Sequence, residues 1–123
     1  LFSKEQTMKD YKFSFEVDGV SYPLIFNLNV MEDIQEKFGS VAKWGEFTDA
    51  KSGEPNAKAL KYGITAMINE AIDIENDEKG ENRPFMTEKQ IGRLITRAGL
   101  QKSAEALNNA VINATKDDNE KNV

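Results

Sequence analysis

A chain of 123 residues, 39% apolar with a mean hydropathy of −0.59, is long enough for one real core and too short for two comfortable ones. It holds no Cys and no His, which excludes thiol nucleophiles, disulfides, thiolate zinc sites and the usual near-neutral proton shuttle. Sixteen basic against 21 acidic side chains give a net charge of −5, which disfavours nucleic acid; no apolar run nears the roughly 20 residues that cross a bilayer, so a cytoplasmic protein is expected.

Residues 1–9 lack a clear period and read as an irregular lead-in. A single α+β domain is expected over 10–114, an N-terminal antiparallel hairpin packed against about four helices. Residues 115–123 read as a charged, disordered tail. The hairpin is the plainest signal. Tyr11, Phe13, Phe15 and Val17 alternate with polar residues, Asp18-Gly19 interrupts, and Val20, Tyr22, Leu24, Phe26 and Leu28 alternate again. Asp-Gly suits a two-residue turn because both residues tolerate positive φ. The opposed pairs are then Val17/Val20, Phe15/Tyr22, Phe13/Leu24 and Tyr11/Phe26, and a one-residue slip would turn the apolar set toward water. Pro23 cannot donate to a ladder, which makes its strand an edge or a bulge and leaves the first strand's outer edge open to a further strand.

A two-stranded ribbon needs cover, and the next segment supplies a helix with Met31, Ile34 and Phe38 on one side. Asn29 and Glu32 stand in capping-box relation, and Gly39 is the stop. Ser40 starts a short helical turn that carries Val41 and Trp44, the sole Trp, which reads as a core closure. Residues 45–56 have turn formers and no sustained period and read as a loop with Phe47 as its anchor.

From Ala57 to Ile74 the spacing predicts a long helix. Leu60, Ile64, Met67, Ile68, Ala71 and Ile72 form a broad core stripe, with Tyr62, Ala66 and Asn69 as a neighbouring, smaller-sided flank. Residues 73–83 read as an acidic linker. A calcium loop starting at Glu75 would place Gly80 correctly, but it would need ligands where Lys79 and Met86 stand. Thr87 and Gln90 form a capping box for a helix with Ile91, Leu94, Ile95 and Ala98 inward, Met86 stapling to Ile91 and Gly99 at the end. A final helix over Ser103–Ala114 presents Ala104, Leu107, Val111 and Ala114, with Ala106, Ala110 and Ile112 broadening that side.

Carboxylate pairs such as Glu32/Glu36 and Glu70/Asp73 come with no His, Cys or metal spacing, so no catalytic, cofactor or metal residue is assigned. Lys89, Arg93, Arg97 and Lys102 read as solvent-facing charge. From the residues alone the chain is a small acidic interaction domain.

Its layout resembles the phage tail assembly chaperones of long-tailed phages and their prophage relatives in low-GC Gram-positive bacteria. The resemblance rests on the Asp18-Gly19 hairpin, Tyr22-x-Leu24-x-Phe26, Asn29, Met31, Ile34, Glu36 and Phe38-Gly39. The Trp44 region, a long apolar helix and the Thr87-x-x-Gln90-Ile91 helix follow in similar order, over about residues 10–112. It implies a non-enzymatic role without cofactors: binding the tape measure protein, and with it the major tail tube protein or a second copy, during tube assembly in the bacterial cytoplasm, with absence from the mature virion. The expected partner surface is the flank of Tyr62, Ala66 and Asn69 plus the last helix, with Leu107 and Val111 as anchors. The rival readings are an adaptor that binds through the first strand's edge and a structural component retained in the tail.

Overall fold

The computed structural model describes residues 13–49 and 53–121. Strands β1 (Ser14–Val17) and β2 (Val20–Pro23) form an antiparallel hairpin. Helices α1 (Leu28–Phe38), α2 (Val41–Thr48), α3 (Ala57–Lys79), α4 (Glu88–Ala98) and α5 (Leu100–Lys121) follow. The register is the one that alternation dictates, with Phe15 opposite Tyr22 and Val17 opposite Val20. Asp18 and Gly19 both take positive φ, 53° and 82°, as a tight turn between right-twisted strands requires. Beyond the ladder, the Leu24 amide donates to the Phe13 carbonyl at 3.1 Å, so that expected pair also forms. The Tyr11/Phe26 pair lies outside the described residues, as does the lead-in. Pro23 is the last residue of β2, where its missing donor costs least.

Phe15, Val17 and Leu24 are buried, whereas Val20, opposite Val17 at the turn, is half exposed. The hairpin covers one side of the body and α3 is its hub, packing against the other four helices and β2. Leu60, Ile64, Met67, Ile68, Ala71 and Ile72 are all buried along it, as the stripe predicts. The Ile25 amide donates to the Met67 carbonyl at 3.3 Å, tying the hairpin's exit to this helix.

Some boundaries differ from expectation, each for a local reason. Helix α1 begins at Leu28, so its cap is Asn27, whose Oδ1 accepts from Val30 N; Asn29 lies inside the first turn and the Asn29/Glu32 box is not formed. Val30 and Ile34 are the buried residues of α1, while Met31 and Phe38 sit half-buried at its margin. The Ser40 turn becomes a two-turn helix that reaches Thr48, a fully buried hydroxyl that donates back to the Trp44 and Gly45 carbonyls. Helix α3 runs to Lys79, through much of the expected linker, and α5 runs to Lys121 because no Gly or Pro stops it. The Thr87–Gln90 capping box forms with both of its hydrogen bonds, 3.1 and 2.8 Å.

Trp44 is the centre of the core. Its ring is 1% exposed, its Nε1 donates to the Ala59 carbonyl at 3.1 Å, and Phe26 stacks on it with a 10° interplanar angle. The ring lies directly over Gly63 of α3. A Cβ at Gly63 would collide with the Trp44 ring and sit 2.9 Å from Leu107 Cδ1. Both neighbours are buried and neither can yield, so the overpacking cost of about 1–3 kcal/mol lies toward its upper end. It exceeds the roughly 1 kcal/mol by which Ala is the better helix former. Gly63→Ala is therefore expected to lower the unfolding free energy by about 1–2 kcal/mol; a urea midpoint that stays put or rises would refute this packing.

Candidate functional site

The feature best suited to recognition lies along the flank of α3 and is built by two asparagines seven residues apart. Asn69 Nδ2 donates to the Met86 carbonyl at 2.9 Å while its Oδ1 accepts from Met86 N at 2.8 Å. Asn76 repeats the arrangement on Arg83, with Nδ2 donating at 3.0 Å and Oδ1 accepting at 3.1 Å. Seven helical residues rise about 10.5 Å, and the three-residue step from Arg83 to Met86 spans about 10 Å when extended. The two rises match, so both amides engage one backbone strap that returns antiparallel to the helix. An amide side chain offers a donor and an acceptor together, which is what clamping one residue's N–H and C=O demands. An Arg83–Glu75 ion pair adds a third tie.

The strap fixes Phe85, 54% exposed, at the lip of a cleft of about 250 Å³. Tyr62, Thr65 and Ala66 line it from α3, and Asp33, Glu70, Asp73 and Glu88 line it with carboxylates. Two of these groups have structural work. Glu70 accepts from Asn27 Nδ2 at 2.8 Å and Asn29 Nδ2 at 3.0 Å, pinning the start of α1 to α3. The Tyr62 hydroxyl donates to the Asp33 carbonyl at 3.3 Å, its ring meets Phe38 edge-on, and Lys37 Nζ lies 5.7 Å from its centroid. Burial raises the Tyr62 phenol above its ordinary value, and the negative charges of Asp33, Glu88 and Glu36 push it the same way.

Of the residues expected to meet a partner, the structure brings Tyr62, Ala66 and Asn69 together at this cleft. Asn69 holds the strap, so its amide is already engaged. Leu107 does not belong to the surface: it is fully buried against the Gly63 position. Val111 is half-buried against the same core and does not line the cleft. The last helix presents a filled side here because α3 and β1 cover it. Phe85 escaped sequence reasoning because a lone aromatic in an irregular segment carries no periodic signal; the Asn69/Asn76 spacing is the clue that could have found it.

Among the described residues no group of three or more acidic side chains is placed to hold a metal ion, and no helix is long and apolar enough to cross a membrane. Comparison with family models, with curated proteins and with solved structures finds no match to this chain.

Asn69→Ala removes both ties to Met86 and leaves a half-buried backbone pair unsatisfied. A loss of about 1–2 kcal/mol is expected, together with faster amide exchange at Met86; unchanged protection there would show that the strap is held by something else. In an alkaline titration followed by tyrosine absorbance, Tyr62 is expected to ionise above the usual value near 10. A folded-state value raised above the unfolded one means that the unfolded chain binds fewer protons once pH passes the ordinary tyrosine range. This contribution to stability is thus intact below that range and lost as pH climbs through it. Tyr62→Phe should remove the late step, and a titration without one would contradict the assignment.

Proposed function

We propose that the chain is a non-enzymatic phage tail assembly chaperone that binds the tape measure protein in the host cytoplasm and leaves before the virion matures. Phe85 carries the reading. A large aromatic ring held exposed by a doubly clamped strap, beside Tyr62 and Ala66, has the character of a pre-organised protein-binding anchor, since its ordering cost is met before the partner arrives. The carboxylates around it keep a modest apolar patch soluble between binding events. The order of hairpin, helix, Trp segment, long helix and Thr87-capped helix supports the tail-chaperone resemblance. The cleft gives a shielding protein a surface small enough to release its client.

The test is co-expression with the tape measure protein of the same phage genome. The wild-type chain should co-purify with it, Phe85→Asp should lose most of that capture with far-UV helicity unchanged, and Ile112→Asp, exposed on α5 away from the cleft, should retain it. Absence of capture by the wild type would sink the chaperone reading, and capture that survives Phe85→Asp would sink the cleft. Mass analysis of finished particles should find none of the chain; its retention would make it a structural component of the tail.

A further inference from the structure

Across Glu88 from the cleft lies a larger groove, about 820 Å³, between the first turns of α3 and the α4–α5 junction. Ile95 and Leu100 give it an apolar lining, and Lys58 and Lys61 line it from α3. Two observations set it apart. The first is Gly92, in the middle of α4, where glycine weakens a helix relative to alanine. Unlike Gly63, it is not forced by packing: a Cβ there would meet only Lys61 Cδ, at 3.4 Å, the far part of a flexible side chain. The glycine keeps room in the groove that the folded chain does not itself fill. The second is the charge. On a chain of net charge −5, this wall carries two lysines without a carboxylate in ion-pair reach among the described residues. They flank the N-terminal end of a 23-residue helix that has no acidic residue in its first turn. The positive end of that helix dipole adds to both ammonium groups. Glu88, at the boundary with the cleft, is the one acidic residue of the lining.

We propose that this groove docks an acidic amphipathic helix of a protein partner, with apolar side chains entering over Gly92 and Ile95 and carboxylates reaching Lys58 and Lys61. Helix-in-groove recognition needs this combination: an apolar trough for residues spaced three and four apart, and charge on one wall to set orientation. The groove does not depend on the tape-measure reading, because a different set of residues forms it and Phe85 is not among them.

The probe is a fluorescein-labelled amphipathic peptide with leucines along one side and glutamates beside them, against the same peptide with lysines for glutamates. Fluorescence anisotropy with the full chain should show binding of the acidic peptide at least about tenfold tighter than of the basic one, a difference of one decade in Kd. Amide shifts should centre on Gly92, Ile95, Gly99 and Leu100. Gly92→Trp fills the groove and should abolish binding. The double change Lys58→Glu with Lys61→Glu leaves the groove open and should invert the preference, which keeps the test valid if Gly92→Trp fails to fold. Phe85→Asp should leave this binding intact, separating it from the cleft. Equal binding of both peptides, no binding of either, shifts centred elsewhere, or displacement of the acidic peptide by a single-stranded oligonucleotide at equal concentration would overturn the proposal.

Discussion

The structure depends on the contact between the Trp44 indole and the bare backbone at Gly63. Through it α2 lies on α3, Leu107 of α5 packs at the same glycine, and Phe26 stacks on the indole to bring in the hairpin's exit. The indole N–H, which would be costly if buried alone, ends on the Ala59 carbonyl. Truncating such a ring typically costs about 3–5 kcal/mol, a large share of what a domain of this size has. A small ribbon with little area of its own is thus made rigid by a helical seam beneath it.

Rigidity at the seam passes to the surface through asparagines. Asn27 caps α1 and ties it to Glu70, Asn56 caps α3, and Asn69 and Asn76 clamp the strap. None of these contacts buries much apolar area, yet together they fix where Phe85 and the carboxylates around it stand. The exposed Arg97–Asp18 pair, 2.9 Å apart, contributes little by comparison, since both partners remain largely in water. The same helix flank thereby offers an acidic concavity on one side of Glu88 and a lysine-walled groove on the other.

Much of the architecture was legible because it is local or periodic. Alternation plus Asp18-Gly19 specified the hairpin register, the α3 stripe gave its buried residues, and Thr87-x-x-Gln90 gave a cap that forms as written. What escaped notice was set by distance. The seat of Trp44 at Gly63 pairs residues from different helices, and a helical glycine reads as a weakness until the ring above it is known. The tie of the Asn27 and Asn29 amides to Glu70 spans more than 40 residues and leaves no local signal. Leu107 read as a surface anchor because a terminal helix of small residues looks unpartnered; its burial follows from α3 offering a glycine for it to approach. Asn69 read as a partner residue from its place on the flank beside Tyr62 and Ala66, whereas its amide is engaged by an irregular segment 17 residues on.

The proposed role requires a preformed surface along the α3 flank that a protein client can meet. Hydrogen exchange of the chain, alone and co-expressed with the tape measure protein of the proposed role, tests that most directly. The account predicts slowed exchange in the strap over residues 81–87 and in α3 around Tyr62–Asn69, with the Trp44 seam equally protected in both states. Protection that appears instead along β1, or a seam that becomes protected only in the complex, would contradict it.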